Sequence, residues 1–187
     1  MTSSPLRPRR ADARRNYTRL LSAADDAFVR DGVGASLEGI AKTAGVAVGT
    51  LYSHFPTRDD LLARLISDRM QRLADRGREL ASTSDADEAL LQWLNEFGTG
   101  AATYQGLPES VIRTLRDSDS ALFSSCEAME HTCAALLRRA QTLGRTRTDL
   151  AATDLLAITA ALAGAATAHG RTTGQFLEIL ATGLHGR

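Results

Sequence analysis

Alanine and leucine dominate this chain while β-branched residues are scarce: 31 Ala and 26 Leu stand against five Val and five Ile. Ala and Leu lose least on entering a helix, whereas strands draw on β-branched and aromatic side chains, and only 5% of the residues are aromatic. The balance predicts an all-α protein. Four prolines, Pro5, Pro8, Pro56 and Pro108, leave two long stretches in which helices run unbroken. With 187 residues, 43% of them hydrophobic, the chain is long enough to bury a core without metal or disulfide staples. The longest apolar tract, 155–168, falls short of the roughly 20 residues a membrane helix needs, so no membrane partner is expected. No apolar stretch follows the Arg-rich start, which predicts a cytoplasmic protein without a secretory signal. Two cysteines without CxxC spacing suit reduced thiols there.

Charge balances overall, with 22 basic and 22 acidic residues, but it is unevenly placed. Arg7, Arg9, Arg10, Arg14, Arg15 and Arg19 face only Asp12 within the first twenty residues. Residues 1–13 therefore read as a basic, disordered arm: either a tail that contacts phosphates or a merely solubilising terminus.

Apolar spacing divides the rest into about nine helices. The first runs from about Arg14 to Asp31, with Leu20, Leu21, Ala24, Ala27 and Phe28 inward and Gly32 as its stop. Ser36 caps a second helix whose inward positions are Leu37, Ile40, Ala41 and Ala44, and Gly45 ends it. A third, 48–55, closes at Pro56. Thr57 and Asp60 open a long fourth helix that reaches Leu80, with solvent-side pairs Asp60–Arg64 and Asp68–Arg72. Further helices are expected near 85–104, 108–118, 120–143, 149–169 and 173–185, separated by Gly106, Gly144 and Gly170. The organisation is a head at 14–60 and a larger body at 61–187.

Two short helices joined by a glycine-bearing turn form a unit able to enter the major groove of DNA. Ala41 is small where the helices approach, Gly45 permits positive φ, and Val46 and Leu51 lock the pair over Ile40. A plain helical hairpin satisfies the same pattern. The outer face of the third helix separates the two readings. With Leu51 and Phe55 inward, it presents Val48, Gly49, Thr50, Tyr52, Ser53 and His54, and no acid. Such a face meets phosphates, base edges and thymine methyls without repelling a polyanion.

The run Ser36-Leu-Glu-Gly-Ile40-Ala41-Lys-Thr-Ala44-Gly45-Val46-Ala-Val-Gly49-Thr50-Leu51-Tyr52-Ser-His54-Phe55-Pro-Thr57-Arg58-Asp-Asp-Leu61-Leu62 resembles the DNA-binding domain of the TetR/AcrR family. The likeness covers roughly residues 14–65. It implies a homodimeric transcriptional regulator, most often a repressor, whose three-helix head binds double-stranded operator DNA and whose body binds a small-molecule effector. Carried onto matching positions, it implies that Thr50, Tyr52 and His54 contact backbone phosphates. Val48, Gly49 and Ser53 face bases, and Arg58, where the family usually has Lys, holds a phosphate. Ser36 and Lys42 complete the expected DNA-facing set. Gly39 departs from the polar residue common at its position.

In the body, Trp93, Phe97, Tyr104, Ile112, Leu115, Phe123, Cys126, Met129 and Cys133 fall on inward faces, with Thr103 and Thr159 as nearby hydroxyls. Ordinary core and a ligand pocket both fit this set. Small residues Ala157, Ala161, Gly164, Ala165 and Ala168 stripe the penultimate helix. With Phe176 and Leu180 on the last helix, they suit either close intrachain packing or a two-fold interface. No nucleophile elbow, zinc-protease motif, phosphate loop or dinucleotide fingerprint occurs, so no catalytic residue, cofactor or metal is expected. A constitutive DNA-binding regulator or activator, whose C-terminal domain only dimerises, is the alternative to a ligand-released repressor.

Overall fold

The computed structural model describes residues 6–82, 85–104, 106–143 and 146–182, with side chains from residue 12 onward. The described residues form nine α-helices and no strand. The elements are α1 (Leu6–Asp31), α2 (Leu37–Thr43), α3 (Val48–His54), α4 (Arg58–Leu80), α5 (Ala86–Thr103), α6 (Glu109–Arg116), α7 (Ala121–Thr142), α8 (Ala152–Ala168) and α9 (Thr173–Thr182). Residues 1–5 of the expected arm, Gly144, and the expected end of the last helix at 183–185 lie outside the described residues.

α1 begins at Leu6 rather than Arg14, so residues 6–13, expected as disordered arm, are helical. Pro8 sits in the first turn, where its missing N–H removes no helical bond, and the Arg and Ala residues after it are good helix formers. The helix stops where Gly32 takes φ +69°, and a single 3₁₀ turn, Gly32–Gly34, leads to α2. At α4 the expected capping box is present. Thr57 accepts from the Asp60 N–H, and the Asp60 carboxylate accepts from the Thr57 N–H at 2.9 Å.

That box redirects the arginines of α4. Because Asp60 is held by Thr57, Arg64 pairs with Asp68 at 2.9 Å instead, and Arg72 reaches across to Asp25 on α1 at 3.9 Å. The expected pairs Asp60–Arg64 and Asp68–Arg72 do not form.

Two apolar clusters share α4. The first joins Leu20, Ala24, Phe28, Ile40, Leu51 and Phe55 of the head to Leu61, Leu62, Leu65 and Ile66, and continues into Tyr104, Val111 and Leu122. The second gathers Leu73, Leu80, Leu90, Trp93, Met129, Cys133 and Leu136 in the body. Met70 packs against both. Close approach within the body is set by glycine: a methyl at Gly77 of α4 would collide with Thr132 Cγ2 of α7 and lie 3.0 Å from Trp93 Nε1. Trp93 is itself fully buried, with its N–H donating to the Leu73 carbonyl at 2.8 Å.

Candidate nucleic-acid interface and body cavity

The head's outer surface is set by how α2 and α3 are joined. The Ser36 hydroxyl accepts from the Gly39 N–H at 3.1 Å and starts α2. Gly45, at φ +66°, turns the chain, and the Val46 N–H donates to the Ala41 carbonyl at 3.0 Å. Only a residue tolerant of positive φ makes this turn without strain. Leu51 and Phe55 are then buried beneath α3, and the opposite side is open. Val48 is 42% and Tyr52 46% exposed, and Gly49 and Ser53 also face solvent. No protein atom occupies the space a Cβ at Gly49 would take. The outer face of α3 is therefore accessible, and no acid lies on it.

The structure gives several expected contact residues a second task. Thr50 is half-buried, and the Ser53 hydroxyl donates back to the Thr50 carbonyl at 2.7 Å, leaving its lone pairs outward. The half-buried His54 ring stands edge-on to Tyr17 of α1, with centroids 5.4 Å apart, and Tyr17 stacks on Phe55 at 5.5 Å. Arg58, expected on a phosphate, turns inward: its Nη1 donates to the Val33 and Ala35 carbonyls at 3.0 and 2.5 Å. It ties the loop before α2 to the start of α4. Lys42 and Ser36 are exposed on α2. Tyr17 anchors α3 although the inward positions expected for α1 omit it; its place three residues before Leu20 on the helical period is the sequence signal that marks it. Arg19 belongs here as well, since its Nη1 lies 3.5 Å from where a Cβ would sit on Gly45.

In the body, a cavity of about 240 Å³ opens between α4, α5, α6 and α7. Four of the ten expected pocket residues line it: Phe97, Tyr104, Leu115 and Met129. The other six do not. Trp93 and Cys133 are fully buried core, and Thr159 is buried where it packs at Gly98 of α5. Ile112, Phe123 and Cys126 are half-buried and do not line it, Cys126 lying behind the wall residue Met70, to whose Sδ its thiol donates at 3.1 Å. Periodicity marks all ten as inward, but it does not say which inward positions meet a neighbour and which meet a void. Burial, with a smaller push from the Glu130 charge, raises the Cys126 thiol to about 11 and the Cys133 thiol to about 12. Tyr104 connects the cavity to the head, because its hydroxyl donates to Asp25 Oδ1 of α1 at 3.1 Å. Burial, reinforced by the Asp25 charge, raises its pKa well above the ordinary phenol value, so the donor proton is kept.

On α8, Ala163 and Ala166 are buried inside the body, while Ala157, Ala161 and Ala168 are exposed and Gly164 and Ala165 half-buried. Leu180 of α9 is 56% exposed beside the half-buried Phe176, and Ile158 and Ile179 add to the same apolar exposure.

An accessible, acid-free helix carried on a three-helix head defines a helix-turn-helix DNA-binding protein. Residues 20–65 match the tetR family of bacterial regulatory proteins, and residues 85–186 match the C-terminal domain of SbtR-like transcriptional regulators. The chain belongs to the TetR family of DNA-binding transcriptional regulators. Among solved structures, the TetR regulator SCO0520 of Streptomyces coelicolor is 28% identical with a TM-score of 0.68, over 90% of this chain and 97% of that one. A TetR regulatory protein of Mycobacterium vanbaalenii is 32% identical with a TM-score of 0.63, over 87% of this chain and 98% of its own. FadR of Bacillus subtilis, solved in complex with stearoyl-CoA, shares the fold at 20% identity and a TM-score of 0.61, over 90% of this chain and 100% of that one. The curated relative UidR of Escherichia coli K12 is 35% identical over 69 residues, and the match spans 36% of this chain and 35% of UidR. No described helix is long and apolar enough to cross a membrane.

Proposed function

We propose that the protein is a cytoplasmic, homodimeric repressor that leaves a pseudo-palindromic operator when a small molecule enters the body cavity. The observation that carries the reading is the outer face of α3, open to solvent and free of acids. Thr50 and Tyr52 meet phosphates and Val48, Gly49 and Ser53 meet bases, with Ser36 and Lys42 following the backbone from α2. His54 and Arg58 contribute by holding α3 and α4 in place. Two heads reading half-sites about 34–36 Å apart, or a multiple of that, call for a two-fold interface. The apolar surface of α8 and α9 supports its location, through Ala157, Ala161, Gly164, Ala165, Ala168, Phe176 and Leu180.

Release by an effector needs a state whose cavity and head change together, and the effect must be reciprocal. Tyr104 stands on the cavity wall and bonds Asp25 of α1, while Ser110 of α6 bonds the Asp59 carboxylate at the start of α4. A ligand that moves Tyr104 or α6 therefore pulls on two supports of the head. Selection of bound fragments from random duplex DNA tests the reading. A single inverted-repeat motif is expected, with Tyr52→Ala weakening every fragment and Val48→Ala changing the preferred motif. Enrichment of no sequence, or a Tyr52→Ala protein that binds as well as the parent, overturns it.

A further inference from the structure

Arg69 of α4 is the single charged side chain among the described residues that line the body cavity. Its Nη1 is shut off from solvent and hydrogen-bonds to no protein group among them. The guanidinium carbon lies 5.5 Å from the Tyr104 ring centroid, and the aliphatic stem runs past Gly100, where a Cβ would come within 3.1 Å of Cδ. The glycine thus leaves room for a cation laid along the wall. The side chain is half-buried and also borders a cleft lined by Asp75, Glu79 and Glu96, but a donor shut off from water without an acceptor, as Nη1 is, costs free energy that a bound acceptor removes. The acids around Arg69 are already engaged: Asp25 with Tyr104 and Arg72, Asp68 with Arg64, Asp75 with Arg78, Glu96 with Arg76. The remaining walls are hydrocarbon, thioether and ring, from Ile66, Met70, Leu73, Phe97, Leu115 and Met129.

We propose that this cavity binds a monoanionic carboxylic acid with a compact apolar body, its carboxylate accepting from Arg69 Nη1 and its hydrocarbon lying among Met70, Phe97 and Met129. The proposal rests on the effector-responsive reading above and names the ligand class for that site. Size follows from volume: a cavity of about 150 Å³ takes benzene, so 240 Å³ holds an acid of about ten non-hydrogen atoms. Such a space is too small to enclose a stearoyl chain with its carrier. Charge-assisted pairing inside an apolar wall favours the anion over its neutral alcohol, whereas a purely apolar cavity favours the alcohol.

Calorimetric titration of the full chain with octanoate and phenylacetate, and with the matching alcohols octanol and phenylethanol, tests this. At least one acid is expected to bind about tenfold or more tightly than its alcohol. Arg69→Met, which keeps the stem and removes the charge, is expected to erase that preference while alcohol binding persists, and the persistence shows that the cavity remains folded. Equal affinity of acid and alcohol for the parent protein, binding of neither, or a preference for acid that survives Arg69→Met overturns the proposal. Operator release is read separately. An acid that binds through Arg69 yet leaves the operator occupied sustains the site and overturns the effector-responsive reading. Release by a different compound, with no acid bound, does the reverse.

Discussion

Arg58 carries a positive charge into the first turn of α4, where the helix dipole disfavours a cation. Its place there is supported by two carbonyls of the loop before α2, and by Asp59 and Asp60 in the same turn. Replacing Arg58 with Ala leaves the Val33 and Ala35 carbonyls short of a donor, so we expect a loss of about 1–2 kcal/mol of stability. In thermal unfolding that is a drop of roughly 2–8 °C for a chain of this size. DNA binding should weaken on every sequence with an unchanged salt slope, because the head loosens and no phosphate contact is lost. A salt slope reduced by about one, with unchanged melting, would return the residue to the phosphate-binding role implied by its position in the motif. The cysteines give a second expectation at this scale. Thiolate is the reactive form, and burial holds Cys126 near 11 and Cys133 near 12. Modification of the native protein by an aromatic disulfide reagent should therefore be slow at pH 8. It should accelerate as pH rises toward 11, with Cys126, the less buried, reacting first. Fast labelling of Cys133 at pH 8 without unfolding would contradict the packing around it.

At the scale of the element, apolar period is what the sequence states most directly, and α4 shows how far it reaches. Leu61, Leu62, Leu65, Ile66 and Leu73 fall on one helical period and are buried, Met70 on the same period is half-buried, and Thr57 starts the helix as its side chain dictates. What the period cannot state is which partner a polar group chooses once the helices meet. Arg64 turns to Asp68 because Thr57 holds Asp60, and Arg72 finds Asp25 only because α1 lies alongside. In the same way Trp93 and Phe97, four apart on α5, share a face, yet one meets the Leu73 carbonyl and the other meets the cavity. Gly77 is the clearest case. Within α4 alone, Gly77→Ala should gain up to about 1 kcal/mol of helix propensity. Packed against α7, the added methyl meets Thr132 Cγ2 and presses on Trp93. We expect Gly77→Ala to lose about 1–3 kcal/mol. Thr132→Ser, which removes that methyl while retaining the hydroxyl that donates to the Ala128 carbonyl, should recover most of the loss. A double-mutant cycle by chemical denaturation measures the coupling, and additive effects of the two changes would show that this contact is not what demands a glycine.

For the whole molecule, the question is how one head of modest area reads DNA with useful affinity. On the proposed reading, residues near the α3 face supply only a few phosphate contacts, and a single short helix spans only part of one major groove. Two heads held on one rigid body turn the second contact into an intramolecular event, which strengthens binding by a factor of about 10²–10⁴ without any new contact to DNA. The body has a surface suited to that use. α8 buries Thr159, Ala163 and Ala166 against its own chain and leaves Ile158 43% exposed, and α9 leaves Leu180 56% exposed. In the proposed dimer the small residues between them would let a second copy of α8 and α9 approach closely, and large apolar side chains at the margins would then lose their water. Glutamates at Ile158 and Leu180 would bring four acids together across a two-fold axis while leaving the monomer's buried side untouched. The Ile158→Glu, Leu180→Glu protein should therefore sediment as a monomer with nearly unchanged melting, and its operator affinity should fall by about 10²-fold or more. A double variant that remains dimeric would move the two-fold axis off α8 and α9. A monomer that still holds the operator as tightly as the parent would show instead that one head suffices.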